Sequence, residues 1–138
     1  MESSGCTSPR VELPAAQERR VADVMVKRPK TLPADATVGQ VRALFENPRV
    51  RTALLVDGDA LAGAIDTGAV PASVPDGEPA RDHLAANLPH IGPDAPMSEA
   101  LAALEAAGTR RIAVVDADGR TLRGLLCLDR TGAGFCTD

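Results

Sequence analysis

The second half of this chain repeats the first half. Residues 32–36 (LPADA) recur 59 positions later as residues 91–95 (IGPDA), and residues 53–57 (ALLVD) recur at the same offset as residues 112–116 (IAVVD). Each copy is too short to bury a good hydrophobic core by itself. We therefore expect the two copies to pack against each other, leaving two related clefts of the kind in which small ligands bind.

The offset between the two copies changes within an acidic turn. Residues 61–65 (LAGAI) match residues 122–126 (LRGLL), 61 positions later, and the turn Asp57-Gly58-Asp59 precedes the first of these segments. A hairpin tolerates a change of two residues when the change is confined to its turn. The helices and strands are therefore duplicated, while the loop between them varies.

The composition limits both the core and the partners. The 138 residues suit one domain, and because the sequence has no Trp, no Tyr and only Phe45 and Phe135, its core must be built from Ala, Val, Leu and Ile. The formal net charge is −4. Nucleic-acid binding generally uses basic surfaces and aromatic stacking platforms, so this composition argues against a nucleic-acid partner.

The sequence shows no pattern typical of a membrane, metal or catalytic site. No apolar run approaches the ~18–20 residues that cross a bilayer, and the N-terminus lacks the pattern of a secretory signal. The three cysteines form no CxxC pair, and His83 and His90 are not part of a metal-binding motif. Neither a P-loop nor a nucleophile elbow is present. We expect a cytoplasmic protein that has no catalytic residues, binds no metal and does not contact a membrane.

Turn residues and hydrophobic periodicity predict the elements of each half. The first half predicts a helical turn at 21–25, an extended segment at 31–32, a helix that begins with a Thr37–Gln40 capping box and closes at Asn47-Pro48, strands at 52–57 and 61–65, and a short helix from Asp66 or Thr67 to Pro71. The second half predicts a helical turn at 80–84, an extended segment at 89–91, a helix at 96–107 followed by Gly108, and strands at 112–116 and 122–128. The corresponding segments are a flexible arm (1–18), a first motif (19–71), a linker (72–79), a second motif (80–131) and a C-terminal tail (132–138).

This order of elements resembles the CBS domain, and the duplication resembles the tandem CBS pair known as a Bateman module. The segments that carry the resemblance are residues 21–25, the helix begun by Thr37, residues 55–65, residues 110–116 and residues 122–126. The resemblance implies an α+β fold in which two βαββα-type halves pack sheet-to-sheet with pseudo-twofold symmetry. It also implies a homodimer, adenine-nucleotide binding in the clefts, and regulation of an enzyme, channel or transporter, which here would be a separate molecule.

The chain departs from the nucleotide-binding pattern of this family in both halves. In that pattern a Gly of the last strand is followed by two apolar residues, a Ser or Thr that meets phosphate, two further residues and an Asp that binds the ribose. After Gly63, the hydroxyl position is Asp66, and an Asp there repels phosphate. The first cleft is therefore the poorer candidate. Its candidate ligand-binding residues are Thr31, Leu32, Arg51, Ile65 and Asp66.

The second cleft is the better candidate for an anionic ligand. After Gly124, Cys127 takes the hydroxyl position and Arg130 the Asp position, with Asp129 one residue early, where it could reach a ribose. Three guanidinium groups could converge on one anion here. The alternative is that the arginines are solvated edge residues, because Arg51 occupies the position equivalent to Arg110. The candidate residues are Arg110, Arg111, Ile112, Leu126, Cys127, Asp129 and Arg130.

Three functions remain open from the sequence. The first is a regulatory module that senses an adenosine-containing ligand such as AMP, ADP or ATP, requires no cofactor, forms a homodimer and signals to a separate protein partner. The second is a dimerisation or docking module whose clefts bind no ligand. The third is a protein that responds to oxidation through Cys127 and Cys136, which are separated by the flexible glycines Gly132 and Gly134.

Overall fold

The helices and strands follow the α+β order that the duplication predicts. A computed structural model describes residues 10–12, 16, 18–48, 50–85, 88–128 and 134–136. The elements are β1 (Arg10–Glu12), α1 (Val21–Val24), β2 (Thr31–Pro33), α2 (Val38–Phe45), β3 (Thr52–Asp57), β4 (Ala60–Asp66), a 3-10 helix (Ala80–His83), β5 (His90–Ile91), α3 (Met97–Ala107), β6 (Arg111–Val115), β7 (Leu122–Leu128) and β8 (Gly134–Cys136).

The chain divides into two compact units. The first-repeat unit comprises residues 30–86, and the second-repeat unit comprises residues 1–29 together with 87–138. The first-repeat unit contains a three-stranded sheet in the order β2-β3-β4, in which β2 is parallel and β4 antiparallel to β3. The second-repeat unit contains a five-stranded sheet in the order β1-β8-β7-β6-β5, in which only the β5–β6 pair is parallel.

The first-repeat unit is built around helix α2, whose start is fixed by the capping box. Thr37 Oγ1 accepts a hydrogen bond from the Gln40 N–H at 3.3 Å, and Gln40 Oε1 accepts one from the Thr37 N–H at 2.9 Å. These bonds satisfy backbone donors that a helix N-terminus otherwise leaves unpaired, and they confirm the predicted start. The buried core of this unit comprises Ala36, Val41, Ala53, Leu55, Ile65 and Ala80.

The second-repeat unit is built around helix α3. The helix begins after Pro96 and ends at Gly108, whose φ of +66° is a left-handed conformation that glycine adopts without strain, as predicted. Phe135 of β8 is the largest fully buried side chain of the described residues, so half of the chain's aromatic content lies in this core. The core comprises Ala16, Val21, Val24, Ile91, Met97, Ala100, Leu104, Ile112, Val114, Leu126 and Phe135.

The duplication extends to an irregularity in the strand pairing. The β3–β4 register shifts between Leu55 and Val56, and the β6–β7 register shifts between Val114 and Val115. These positions are equivalent at the offset of 59 residues. A bulge changes the direction of its strand and is usually retained as a structural feature. Both hairpins therefore bend at equivalent positions, which lie between the turn and the ladder end that carries the candidate site residues.

The last strand of each sequence motif pairs with the segment near the start of the other motif. Val26, which follows α1, exchanges two backbone hydrogen bonds with Leu125 of β7, at 2.8 and 3.0 Å. Ala85, which follows the 3-10 helix, donates a backbone hydrogen bond to Ala64 of β4 at 2.8 Å. Val26 and Ala85 are equivalent positions of the duplication. Each unit is thus completed by a leading segment exchanged between the repeats.

The prediction of a short helix from Asp66 or Thr67 to Pro71 is wrong. Strand β4 continues through Asp66, and a turn follows in which the Ala69 N–H donates to the Asp66 carbonyl oxygen at 3.0 Å. Gly68 has a φ of +85°, which an α-helix does not accommodate. The capping potential of the Asp66 side chain is used instead in a cross-strand hydrogen bond to Thr52.

Two further strands lie in the segments predicted to be an arm and a tail. Arg10–Glu12 and Gly134–Cys136 pair antiparallel, as β1 and β8. Strands of three residues carry too little alternation to be read from sequence, because pairing with a neighbour rather than their own pattern stabilises them.

Candidate functional site

The candidate residues of the second repeat meet at one end of the β6–β7 ladder. Arg111 stands opposite Cys127, and Ile112 stands opposite Leu126. Just beyond them, the Leu128 N–H donates to the Arg110 carbonyl oxygen at 2.9 Å. The structure therefore brings together Arg110, Arg111, Ile112, Leu126 and Cys127. The two remaining predicted residues, Asp129 and Arg130, lie outside the described residues.

The five residues divide between the two faces of the sheet. Ile112 and Leu126 are 0% exposed and belong to the core that packs around α3. Because successive residues of a strand point to opposite faces, Arg111 and Cys127 stand on the other face, where both are half-buried. Arg110 is exposed. Among the described residues of this site, the polar side-chain groups are thus the two guanidinium groups and the thiol.

Arg111 has a hydrogen-bonded backbone and a partly buried side chain. Its backbone N–H donates to Thr109 Oγ1 at 3.4 Å, and its side-chain Nε atom is buried. A guanidinium that is partly withdrawn from water interacts more strongly with an anion than a fully solvated one, because the local dielectric constant is lower. Sequence reasoning found this arginine from its place before an apolar strand, but not the contact with Thr109.

The candidate residues of the first repeat meet only in part. Arg51, Ile65 and Asp66 lie at the equivalent end of the β3–β4 ladder, where the Thr67 N–H donates to the Arg51 carbonyl oxygen at 2.9 Å. Thr31 and Leu32 lie on β2, opposite Leu54 and Leu55 of β3. Thr31 and Leu32 therefore lie beside the middle of β3 and not at the ladder end where the other three residues lie.

The carboxylate of Asp66 is fixed by a residue that the sequence did not indicate. Thr52 Oγ1 donates to Asp66 Oδ1 at 2.8 Å, and Thr52 is 7% exposed. These two residues are direct partners across β3 and β4. Because an aspartate accepts hydrogen bonds when ionised, the buried hydroxyl orients the negative charge of Asp66 at this end of the ladder.

The equivalent ladder ends of the two repeats differ in charge. By the offsets of the duplication, Thr52 corresponds to Arg111, and Asp66 corresponds to Cys127. Both are directly opposed pairs at the same end of their hairpins. The first ladder end therefore carries the guanidinium of Arg51 and the anchored carboxylate of Asp66, whereas the second carries the guanidinium groups of Arg110 and Arg111 beside a thiol. An anionic ligand is attracted more strongly by the second arrangement than by the first.

A groove in the first-repeat unit lies outside both predicted residue sets. Its volume is about 250 Å³, and it lies between α2 and the turn after β4. Arg42 at its edge donates to Asp76 Oδ1 at 2.5 Å and to the Pro71 carbonyl oxygen at 2.9 Å, so this cation binds the segment that follows β4. The groove has no other described cation among its lining residues, which are Val41, Arg42, Phe45, Glu46, Thr67, Gly68 and Val70.

Among the described residues, Asp118 in the β6–β7 turn is the titratable group whose pKa is clearly shifted. Hydrogen bonds from the Thr121 side chain, the Thr121 N–H and the Arg120 N–H lower the pKa of Asp118 from 3.8 to about 2. The three donors lie at 2.6, 2.9 and 2.8 Å respectively. This carboxylate stabilises its own turn and lies at the opposite end of the hairpin from Arg111 and Cys127.

Two further properties bear on the class of site. Within the described ranges, no three His, Cys, Asp or Glu side chains cluster closely enough to bind a metal ion. For the part of the chain that the structure covers, every helix is too short or too polar to traverse a bilayer.

The family model for the CBS domain matches residues 21–69 and 80–130, which together make up more than half of the chain. No curated protein matches the chain. These matched segments include the candidate residues of both repeats.

Among solved structures, the chain is similar to a CBS domain protein from Pyrobaculum aerophilum complexed with AMP, with a TM-score of 0.68, 21% identity, and coverage of 79% of this chain and 87% of that one. It is also similar to a CBS domain pair/ACT domain protein from Thermotoga maritima, with a TM-score of 0.67, 13% identity, and coverage of 80% and 90%. A third similar structure is the CBS domain of a bacterial CNNM/CorC family Mg²⁺ transporter, with a TM-score of 0.69, 18% identity, and coverage of 82% and 72%. At these identities the likeness is one of fold.

Proposed function

Because this chain belongs to the CBS domain family, we propose that it is a non-catalytic regulatory module that binds an adenosine-containing ligand of the AMP, ADP or ATP class. The ligand binds beside β6 and β7 of the second repeat, and its occupancy is read by a separate protein partner. The AMP complex of the Pyrobaculum aerophilum protein supports the ligand class. The transporter among the similar structures supports a regulated protein as partner.

The observation that carries the proposal is the difference in charge between the two equivalent ladder ends. Arg111 stands where the first repeat has the neutral Thr52, and Cys127 stands where it has Asp66, so the second repeat gains a cation and loses an anion. Charge-assisted hydrogen bonds between arginine and phosphate are among the stronger polar interactions in proteins. We therefore assign phosphate binding to Arg111 and Arg110, and no phosphate binding to the first repeat.

The remaining candidate residues have different parts in this proposal. Ile112 and Leu126 are fully buried in the core and anchor the two strands that carry the binding groups. The role of Asp129 at the ribose and of Arg130 at the phosphate remains a prediction from the sequence. Ligand binding regulates a partner only if the ligand favours one conformation or packing over another, and a difference of about 1–2 kcal/mol shifts such a population usefully.

Calorimetric titration with AMP tests the proposal, using the wild type and Arg111→Gln. We expect AMP to bind the wild type, and Arg111→Gln to weaken binding roughly tenfold or more, because a hydrogen bond to a charged group contributes about 1.5–3 kcal/mol. Arg123→Gln is the matched control, since Arg123 lies on β7 and is exposed, and it forms a 3.6 Å ion pair with Asp116 at the other end of the hairpin from Arg111. Thermal unfolding of each variant shows whether its fold is intact.

The outcomes that contradict the proposal are specific. If adenosine without phosphate binds as tightly as AMP, phosphate recognition by the arginines is wrong. If Arg51→Gln abolishes binding while Arg111→Gln does not, the site lies in the first repeat. If AMP, ADP and ATP at millimolar concentration produce neither heat nor a thermal shift, the ligand class is wrong, because saturation at 100 times Kd stabilises a protein by about 2.7 kcal/mol.

A further inference from the structure

The groove beside α2 lies where the second repeat holds a buried aromatic side chain. Three of its lining residues have equivalents at the offsets of the duplication: Val41, Phe45 and Thr67 correspond to Ala100, Leu104 and Leu128. In the second-repeat unit, these three equivalents belong to, or pack against, the core that contains Phe135. We propose that the groove is a docking site for an aromatic side chain of a separate protein.

The strand pairing fixes the position of Phe135 in the second repeat. Leu128 of β7 pairs with Phe135 of β8, and register partners project from the same face of a sheet. Phe135 is 0% exposed, so its ring packs beside Leu128 in the core around α3. In the first repeat, β4 is the edge strand of the described sheet, and Thr67, which follows β4, is exposed. The position that a ring fills in one unit is therefore an open groove in the other.

The groove has the size and the lining that an aromatic ring requires. Its volume is about 250 Å³. An apolar cavity of about 150 Å³ is already large enough to bind benzene. Val41, Phe45 and Val70 supply apolar surface, and the last two are only half-buried. A phenyl ring bound here buries apolar surface and gains a ring-to-ring contact with Phe45.

The aromatic content of the chain indicates that the ring comes from a different protein. The sequence has no Trp, no Tyr and two Phe. Phe135 is buried in the core of its own unit, and Phe45 forms part of the groove wall. A second copy of the chain therefore has no free phenyl ring to insert. The occupant is a segment of another protein.

The charges around the groove favour a basic segment. Arg42 forms an ion pair with Asp76 and donates to the Pro71 carbonyl oxygen at 2.9 Å. Among the described lining residues, the charge that remains is that of Glu46, which is exposed. A lysine or arginine beside the aromatic residue of the partner complements this carboxylate.

The partner segment is recognised by its side chains rather than by strand pairing. In the turn after β4, the Asp66 carbonyl oxygen already accepts a hydrogen bond from the Ala69 N–H at 3.0 Å. An incoming segment therefore does not lengthen the sheet at Asp66. Its affinity comes from the buried ring and from the ion pair with Glu46.

NMR titration with two capped dipeptides tests the proposal. The probes are N-acetyl-phenylalanyl-lysine amide and N-acetyl-alanyl-lysine amide, added to isotope-labelled protein without nucleotide. We expect the phenylalanyl probe at millimolar concentration to shift the amide signals of Val41, Thr67 and Val70 in a saturable manner. The alanyl probe should bind about tenfold more weakly or worse, because it buries no ring. Thr67→Phe, which places a ring at the groove from within the chain, should abolish the shifts.

A charge variant tests the rim of the groove. Glu46→Gln should weaken binding of the phenylalanyl probe about twofold to fivefold, as expected for loss of a surface ion pair. Glu105→Gln is the matched control and should leave binding unchanged, because Glu105 is exposed at the equivalent position of α3. Thermal unfolding shows whether each variant is folded.

Three outcomes overturn the proposal. If neither probe shifts the signals of the folded wild type, the groove is not a docking site. If both probes shift the same signals equally, the groove does not recognise a ring. If light scattering finds a wild-type dimer that Thr67→Phe dissociates, the groove holds a second copy of this chain instead. The titration contains no nucleotide, so its result is independent of ligand binding beside β6 and β7.

Discussion

Gly124 lies directly against Met25. A Cβ atom at Gly124 would stand 2.7 Å from the Met25 sulfur and 2.6 Å from the Val26 carbonyl oxygen. Both distances are shorter than any ordinary contact, so only glycine lets the leading segment approach β7. Gly63 has the equivalent relationship with Leu84, at 2.7 Å from a terminal methyl group. The exchanged leading segments thus depend on one glycine in each repeat.

Replacing these glycines should have unequal effects on stability. Gly124→Ala places its methyl group against backbone that is fixed by the Val26–Leu125 hydrogen bonds, so we expect a loss of about 1–3 kcal/mol in the free energy of unfolding. Gly63→Ala meets only the flexible end of the Leu84 side chain, which can change rotamer, and should cost less. Urea unfolding of both variants measures the difference. Equal losses would mean that the backbone contact at Gly124 does not limit the packing.

The hydroxyl of Thr52 should contribute to stability through Asp66. Thr52→Val preserves the shape of the side chain but removes the donor of the 2.8 Å hydrogen bond. Hydrogen bonds to charged groups contribute about 1.5–3 kcal/mol, so a loss near the lower end of this range is expected at neutral pH. A double-mutant cycle with Asp66→Asn isolates the pairwise coupling. Additive losses would show that the two side chains do not stabilise each other.

The pKa of Asp118 should depend on Thr121. The Thr121 hydroxyl is the largest cause of the shift to about 2, so Thr121→Val should move the pKa of Asp118 part of the way back towards 3.8. Because the folded pKa is the lower one, the stabilisation is present above pH 4 and is lost as the pH falls from about 4 to about 2. Carboxyl NMR titration measures both proteins. Thr31→Val, an exposed strand variant in the other unit, should leave the Asp118 pKa unchanged.

The sequence predicted the elements whose causes are local. The Thr37–Gln40 capping box and the left-handed Gly108 at the end of α3 act within a few residues, so a reader of the sequence finds them directly. The two hydrogen bonds between Val26 and Leu125, and the hydrogen bond from the Ala85 N–H to the Ala64 carbonyl oxygen, were not predictable, since each joins a short extended segment to a strand that does not neighbour it in the sequence. Local patterns carry no information about such pairings.

The candidate site was predictable to a similar degree. The duplication located Arg111 and Cys127 at the ends of two strands, and the hairpin made them neighbours. The Thr52 hydroxyl was missed because Thr52 opens an almost continuous buried strand, in which burial hides the one polar contact. The pairings of β8 with β7 and with β1 were missed because β1 and β8 have three residues each and no hydrophobic pattern of their own.

Asp66→Ser should create phosphate binding in the first repeat. The variant removes the negative charge fixed by Thr52 and restores the hydroxyl that nucleotide-binding members of the family carry at this position, while Arg51 supplies a nearby cation. Removal of a charge close to a bound phosphate is worth about 1 kcal/mol or more, since two like charges 4 Å apart repel by about 1 kcal/mol even in water. In calorimetric titration with AMP, we expect the number of bound molecules per chain to increase relative to the wild type.

Asp59→Ser, which removes an equal charge from the exposed β3–β4 turn, is the matched control and should leave the stoichiometry unchanged. An unchanged stoichiometry for Asp66→Ser, with the variant folded, would mean that the carboxylate is not what separates the two repeats as ligand sites.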